Sequence, residues 1–317
     1  MILELNEVTK LYSNGRGAED ISFALAPGEV LGLLGRGGMA SVWKARQVSL
    51  DRLVAVKVLS PQFASTAEDI RQFRTEAQTA AQLRHPNIVE VYDANFSDGC
   101  YYFVMELVDG YTMGELLRRK GDMPVEDALV IAESVAVALD YAWSFRQMVH
   151  CDIKPDNIMA DADGTVKVTD LGLCRTLSRI KEPDQAVSED IFGTPAYMSP
   201  EQIYGDARID CRSDIYSLGA SLYHMVTGYT LFQGLDNDAM MRAHVGGVQA
   251  PDPREFAPQI KPAVVIMLER MLAKHTDQRY RDWRQVLTDI KKIQDDKIIW
   301  SVQMPPLASS IKRSRGE

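Results

Sequence analysis

Cysteine is scarce: Cys100, Cys151, Cys174 and Cys211 are the only four in 317 residues, and no two stand in C-x-x-C spacing. That scatter excludes a disulfide framework and a zinc site built on paired thiolates, and it fits a reducing compartment. No uninterrupted apolar run approaches the roughly 18 residues that suggest a membrane span, and the first residues lack the basic and apolar stretches of a secretory signal. A cytoplasmic protein with no membrane span is expected. Basic charge is also short, since 35 Lys and Arg against 44 Asp and Glu leave a formal net charge of −9. Phosphate backbones are bound through a net basic face, so no nucleic acid partner is expected. The short basic tail Ile311-Lys-Arg-Ser-Arg-Gly-Glu317 reads as a solvated terminus.

What is present is ordinary globular material, 46% apolar and 25% charged, enough for one large domain or for two lobes around a shared cleft. The first 58 residues alternate as strands do, at Ile2-Leu-Glu-Leu5, Ile21-Ser-Phe-Ala-Leu25, Val30-Leu-Gly-Leu-Leu34 and Leu53-Val-Ala-Val-Lys-Val-Leu59. From Ser65 to Arg84 the apolar spacing turns helical, and Pro86 ends it. Strands are expected again at Ile88–Tyr92 and Tyr101–Met105, then helices at Val125–Phe145, Asp214–Thr227 and Val286–Ile293. A strand-rich half thus precedes a helix-rich half, with a junction expected near Glu106 to Asp109.

Gly35-Arg-Gly-Gly-Met-Ala-Ser-Val42 is a glycine-rich turn whose backbone N–H groups could approach phosphate oxygens, although a tight hairpin uses glycines too. Val54-Ala-Val-Lys57 follows on the next strand, and a lysine among apolar residues needs an anion or a route to water. Glu76 could be its partner, or could sit on a solvated helix face. The decisive stretch is Val149-His-Cys-Asp-Ile-Lys-Pro-Asp-Asn-Ile-Met159 with Val166-Lys-Val-Thr-Asp-Leu-Gly172. There Asp152 can accept a hydroxyl proton, Lys154 can balance phosphoryl charge, and Asn157 with Asp170 can hold Mg²⁺ through hard oxygen donors.

Together with Gly193-Thr-Pro-Ala-Tyr-Met-Ser-Pro-Glu201, Ser213-Asp-Ile-Tyr-Ser-Leu-Gly219 and Asp277-Gln-Arg-Tyr280, these motifs resemble the Hanks-type protein kinases, in particular the bacterial serine/threonine kinases. The resemblance implies an α+β, two-lobed protein kinase fold. A small strand-rich lobe at 30–107 and a larger helical lobe at 108–296 would follow an extension at 1–29 and precede a tail at 297–317. It implies ATP and Mg²⁺ as cofactors, and protein substrates with Ser/Thr acceptors. Asp152, Lys154, Lys57 and Glu76 would be the catalytic set, and Asn157 and Asp170 the metal ligands. Gly35, Arg36, Gly37, Gly38, Met39 and Ala40 would cover the phosphates, with Val42 and Ala55 sandwiching the adenine. Met105 at the back of the pocket, the Glu106 and Val108 backbone at the hinge, and Met159 would complete the nucleotide site. The same resemblance makes Asp214 a brace for the catalytic loop and Glu201–Arg279 a buried ion pair. It leaves room for a dimer or a regulatory partner through the small lobe or the tail.

The chain departs from that pattern in four places. Ala40 replaces a glycine, Leu171 replaces the phenylalanine of Asp-Phe-Gly, and Cys151 stands where most members carry arginine. The last change implies little dependence on phosphorylation of Thr176, Ser178 or Ser188. The fourth departure is residues 1–35, which resemble the opening of an ABC-transporter ATPase, with Tyr12 in the place of its adenine-stacking aromatic. No G-x-x-x-x-G-K-[ST] follows Leu34-Gly35, so an ATPase of that class is disfavoured. A pseudokinase is disfavoured because the lysine, the base and both metal ligands are all present.

Overall fold

The computed structural model describes residues 2–11, 17–26, 28–36, 40–59, 78–97, 100–171, 194–206, 209–296 and 310–312. The chain divides into two compact units, Met1–Arg84 with Val89–Val108, and His85–Ile88 with Asp109–Glu317.

In the first unit β1 (Ile2–Leu11) and β2 (Gly17–Ala26) pair as an antiparallel sheet of their own. A five-stranded antiparallel sheet follows, in the order β3-β4-β5-β7-β6. Its strands are β3 (Gly28–Arg36), β4 (Ala40–Gln47), β5 (Arg52–Leu59), β6 (Val91–Ser97) and β7 (Cys100–Glu106). Side chains alternate across a strand. Trp43, Ala45, Val54, Val56, Val58 and Tyr102 therefore form one apolar cluster, while Ala55, Val89 and Met105 form another.

Two local readings change here. The glycine-rich segment is less turn and more strand than its composition suggests, because β3 runs through Arg36 and β4 starts at Ala40. The strand expected at Ile88–Tyr92 is split. Asn87 bonds to the Val166 carbonyl at 2.7 Å and Ile88 bridges Val168 within the second unit, so the strand of the first sheet begins only at Val91. Most of the helix expected from Ser65, including Glu76 and Arg71, lies outside the described residues, as do Tyr12, Gly37, Gly38, Met39, Gly172 and the three acceptors Thr176, Ser178 and Ser188.

The second unit carries β8 (Gly110–Thr112), β9 (Ile158–Asp161) and β10 (Val166–Val168) in one small sheet. Its helices are α1 (Met113–Lys120), α2 (Val125–Arg146), α3 (Pro200–Ile203), α4 (Cys211–Thr227), α5 (Asn237–Val245), α6 (Pro262–Met271) and α7 (Trp283–Gln294). Helix α1 starts on a capping box, with the Thr112 hydroxyl on the Glu115 N–H and the Glu115 carboxylate on the Thr112 N–H. Helix α2 is long and apolar enough to cross a membrane by length and composition alone. Its Ala128, Ala132, Val135, Ala136 and Leu139 are instead buried in this unit, where it packs on α4 and α7. Helix α4 is buried along almost its whole length. Gly219 permits this, since a Cβ there would lie 2.8 Å from the Met271 Cβ.

Candidate active site

In the first unit, strand register places Lys57 opposite both Val42 and Phe103, and Ala55 opposite Met105. Directly opposed residues share a face. Lys57 therefore shares its sheet face with Val42, Ala55 and Met105, and Val42, Leu107 and Val108 pack against the Ala55–Met105 cluster. The structure thus gathers the residues expected to enclose the adenine ring. The Glu106 N–H, at the expected hinge, donates to the Glu90 carbonyl at 2.9 Å. Gly35 and Arg36 lie at the end of β3, with Arg36 paired to Ser41 of β4.

In the second unit the loop from Val149 to Asn157 joins α2 to β9, and it is held on all sides. Both oxygens of Asp214, at the first turn of α4, accept main-chain N–H groups, His150 at 2.7 Å and Cys151 at 2.8 Å. Gln202 donates to the Cys151 carbonyl at 2.6 Å. Cys151 has φ 65°, in the left-handed region that costs a non-glycine residue about 1–2 kcal/mol, and these three bonds hold it there. His150 is fully buried. Its Nδ1 accepts from the Asp152 N–H at 3.2 Å, so its proton sits on Nε2, 2.7 Å from the Thr169 carbonyl.

Asp152 is the convergence point. Its Oδ2 lies 2.7 Å from the Lys154 Nζ and accepts from the Asn157 amide at 3.0 Å, while the same amide also donates to the Asp152 carbonyl at 2.8 Å. Among the described residues its Oδ1 has only a long contact, 3.4 Å from the Thr194 hydroxyl, which itself accepts from Lys154 at 2.7 Å. With side chains 14% and 20% exposed, Asp152 and Lys154 remain reachable. Both amide hydrogens of Asn157 point to Asp152, so Oδ1 is its remaining donor atom. The Thr169 N–H bonds to the Asn157 carbonyl at 3.0 Å and ties the Asp170 segment to this loop, with Asp170 itself at φ 62°. Met159 lies on β9, opposite Thr112 and Lys167.

Among the described residues no group of three or more His, Cys, Asp and Glu side chains could hold a metal. The expected metal donors are one amide, Asn157, and one carboxylate, Asp170, whose segments are joined by the Thr169 N–H bond to the Asn157 carbonyl. Mg²⁺ is a cation that accepts so few protein ligands, because it keeps waters and phosphate oxygens.

Asp152, Lys154, Asn157 and Asp214, named from the sequence, are brought together here, but the sequence reading missed the positions that orient them. Thr194 entered only as part of the Gly193–Glu201 motif, and His150 and Gln202 had no role. Nothing in their spacing signals that a histidine two residues before the aspartate and a glutamine fifty residues later grip the same peptide.

The geometry also sets a pH dependence. Burial, against the His150 interaction and two N–H donors, pushes Asp214 up to about 6. Below that pH one oxygen carries a proton and cannot accept. Turnover is therefore expected to fall as pH drops through about 6, read as an acid limb in the pH–rate profile. Stability responds with mixed sign. Protonation of a carboxyl raised in the fold favours the folded state. His244, which burial holds down to about 3, must instead gain its proton on unfolding, so stability drains through it as pH falls below 6.5.

The protein kinase domain family matches residues 29–290. The chain belongs to the protein kinase family. Its similarity runs to bacterial Hanks-type kinases: it is 37% identical over 263 residues to the serine/threonine-protein kinase PrkC of Bacillus subtilis, covering 83% of this chain and 40% of that one. Against the serine/threonine-protein kinase PknB of Mycobacterium leprae it is 37% identical over 265 residues, covering 82% of this chain and 42% of that one. This kinase chain thus spans about two fifths of the length of those relatives. The crystal structure of the Mycobacterium tuberculosis PknI kinase domain superposes with a TM-score of 0.68 at 28% identity, covering 87% of this chain and 98% of that one. The fold is the two-lobed kinase fold, with a strand-rich first part and a helical second part.

Proposed function

We propose that this chain is a serine/threonine protein kinase that moves the γ-phosphoryl group of Mg·ATP to hydroxyls of protein substrates. The observation that carries the reading is the asymmetric Asp152 carboxylate. Its Oδ2 is saturated by Lys154 and Asn157, and its Oδ1 is left for a hydroxyl proton. Lys154, bonded to both Asp152 and Thr194, keeps a positive charge where the transferring group would develop negative charge. Mg²⁺, when bound, neutralises phosphate oxygens, and Asn157 Oδ1 with the Asp170 carboxylate would hold it. The Val42–Ala55–Met105–Val108 cluster would take the adenine ring, and Lys57 on the same face would position the α- and β-phosphates. In the cytosol, the expected location, ATP and Mg²⁺ are at hand.

The first test is transfer of radiolabel from γ-labelled ATP to a generic basic protein substrate, with Asp170→Asn as control. Label on protein is expected, and free phosphate alone would refute the reading. Lys57→Met is expected to raise KM for ATP and lower kcat together, because it positions as well as binds. A change confined to the protein substrate's KM would contradict that role.

We further infer that residues 1–26 are an appended element related to an ABC-ATPase opening. Supporting this, they form a sheet separate from the five-stranded one and precede the family match at 29–290. Deleting 1–26, or Tyr12→Ala, is expected to leave ATP affinity within a few-fold. A tenfold loss at unchanged thermal stability would show a nucleotide-binding part there.

A further inference from the structure

Residues 310–312 lie beyond the kinase family match, yet Ser310 and Ile311 are fully buried in the helical unit. Their backbone runs parallel to Gln249–Ala250. The Ala250 N–H donates to the Ser310 carbonyl, and the Lys312 N–H donates to the Ala250 carbonyl at 2.7 Å. The Ser310 N–H donates to the Leu272 carbonyl at 3.2 Å, and the Gln249 amide donates to the Ile311 carbonyl at 3.1 Å. An extended segment added to an exposed main-chain edge is a recurrent mode of peptide recognition, in which backbone bonds give affinity and side-chain pockets give selectivity.

The receiving edge is preformed by the kinase domain itself. Lys274 reaches under the segment before Gln249 and donates to the carbonyls of Ala243 at 3.0 Å, Val248 at 2.8 Å, and Gly246. The side-chain pocket is equally specific. The Tyr216 hydroxyl lies 2.7 Å from His244 Nδ1 and 3.0 Å from the Ser310 hydroxyl. The His244 ring is enclosed by Tyr216 and Phe232 and kept neutral by burial. His244 Nε2 is buried with no hydrogen-bond partner among the described residues, and Nδ1 meets the Tyr216 hydroxyl as its acceptor. The Tyr216 oxygen is then left to accept from Ser310. A hydroxyl donor fits there; a phosphorylated serine offers only negative oxygens to another oxygen, in a buried space.

We propose that the groove formed by Tyr216, His244, Gln249, Ala250 and Leu272 is a docking site for an extended peptide bearing an unmodified hydroxyl residue followed by a β-branched apolar residue. Its occupant is this chain's own Ser310–Lys312, held in cis. Covalent attachment keeps the local concentration of this segment high, so a peptide of the same sequence binds in trans only when the tail is released. The site is remote in sequence from the catalytic loop and stands whether or not phosphoryl transfer is observed.

The experiment uses the full chain, wild type and Ile311→Asp, with a fluorescent peptide of the sequence of residues 306–315. Ile311→Asp is expected to speed hydrogen exchange at the Ala250 amide by about tenfold or more, with the amides of α6 unchanged. The peptide is expected to bind Ile311→Asp at least about tenfold more tightly than wild type. Versions of the peptide with alanine or phosphoserine in place of the serine at 310 are expected to bind more weakly than the unmodified one. Ser310→Ala in the full chain, a milder change, is expected to give a smaller rise in Ala250 exchange. Unchanged Ala250 exchange in both variants, equal peptide binding to wild type and Ile311→Asp, or preference for the phosphorylated peptide would overturn the proposal.

Discussion

Asp152→Asn is expected to lower kcat by about 10²–10⁴-fold while leaving the thermal midpoint nearly unchanged. The reason lies in which oxygen is used. In the wild type Oδ2 accepts from Lys154 and Asn157, and among the described residues Oδ1 faces only a 3.4 Å contact from Thr194. An amide in that place can keep its oxygen toward Lys154 and turn its NH₂ toward Thr194, so local packing survives. It has no lone pair of sufficient basicity for a hydroxyl proton. Single-turnover rates with saturating ATP and protein substrate isolate the step. A variant within threefold of wild type would remove Asp152 from the base role, and a matching loss of ATP affinity would recast it as a nucleotide contact.

Arg279→Met is expected to destabilise the helical unit by about 3–5 kcal/mol. Arg279 is 3% exposed and makes a bidentate pair with Glu201, at 2.6 and 2.8 Å. It also donates to the carbonyls of Ala273 at 2.6 Å, Arg212 at 2.9 Å and Lys274 at 3.2 Å, and its guanidinium lies 4.8 Å from the Tyr216 ring centre. Burial alone would push Glu201 upward, but the Arg279 bonds, with that from Ser213, hold it below its ordinary value. Removing the arginine leaves a carboxylate enclosed with a single hydroxyl, together with carbonyls that have lost donors. A fall in the thermal midpoint of about 10 °C is the expected readout. The double variant Glu201→Gln/Arg279→Met should recover part of the loss, since no charge is then stranded. Absence of recovery would place the cost in the lost carbonyl bonds rather than in the ion pair.

The two predictions differ in how much of their basis can be read along the chain. Asp152, Lys154 and Asn157 stand within six residues of one another, and their types alone indicate a proton acceptor, a cation and an oxygen donor. Helix α2 and the end of α4 were equally legible, because an apolar face repeated over many residues leaves little ambiguity. The strand at Ile88–Tyr92 was misplaced for a converse reason. A five-residue apolar run has no period long enough to say which sheet it joins, and Asn87 with Ile88 is captured by β10. The length of the glycine-rich turn was overestimated, since β3 runs through Arg36 and β4 starts at Ala40, because glycine composition marks where a chain can bend but not where pairing resumes.

By itself, the sequence determined the family, the order of the strand-rich and helical parts, and the chemical inventory of the site, because each depends on local residue type and spacing. Tertiary structure alone decided which oxygen of Asp152 is occupied, because Thr194 arrives from forty-two residues away. It decided that the left-handed Cys151 is held from three sides, by Asp214 twice and by Gln202. It also buried Ser310 and Ile311, just where the basic tail begins, against Tyr216 and Ala250. Hydrogen bonds and burial are made between groups brought together by chain reversal, and no local pattern encodes which distant carbonyl or hydroxyl will meet them.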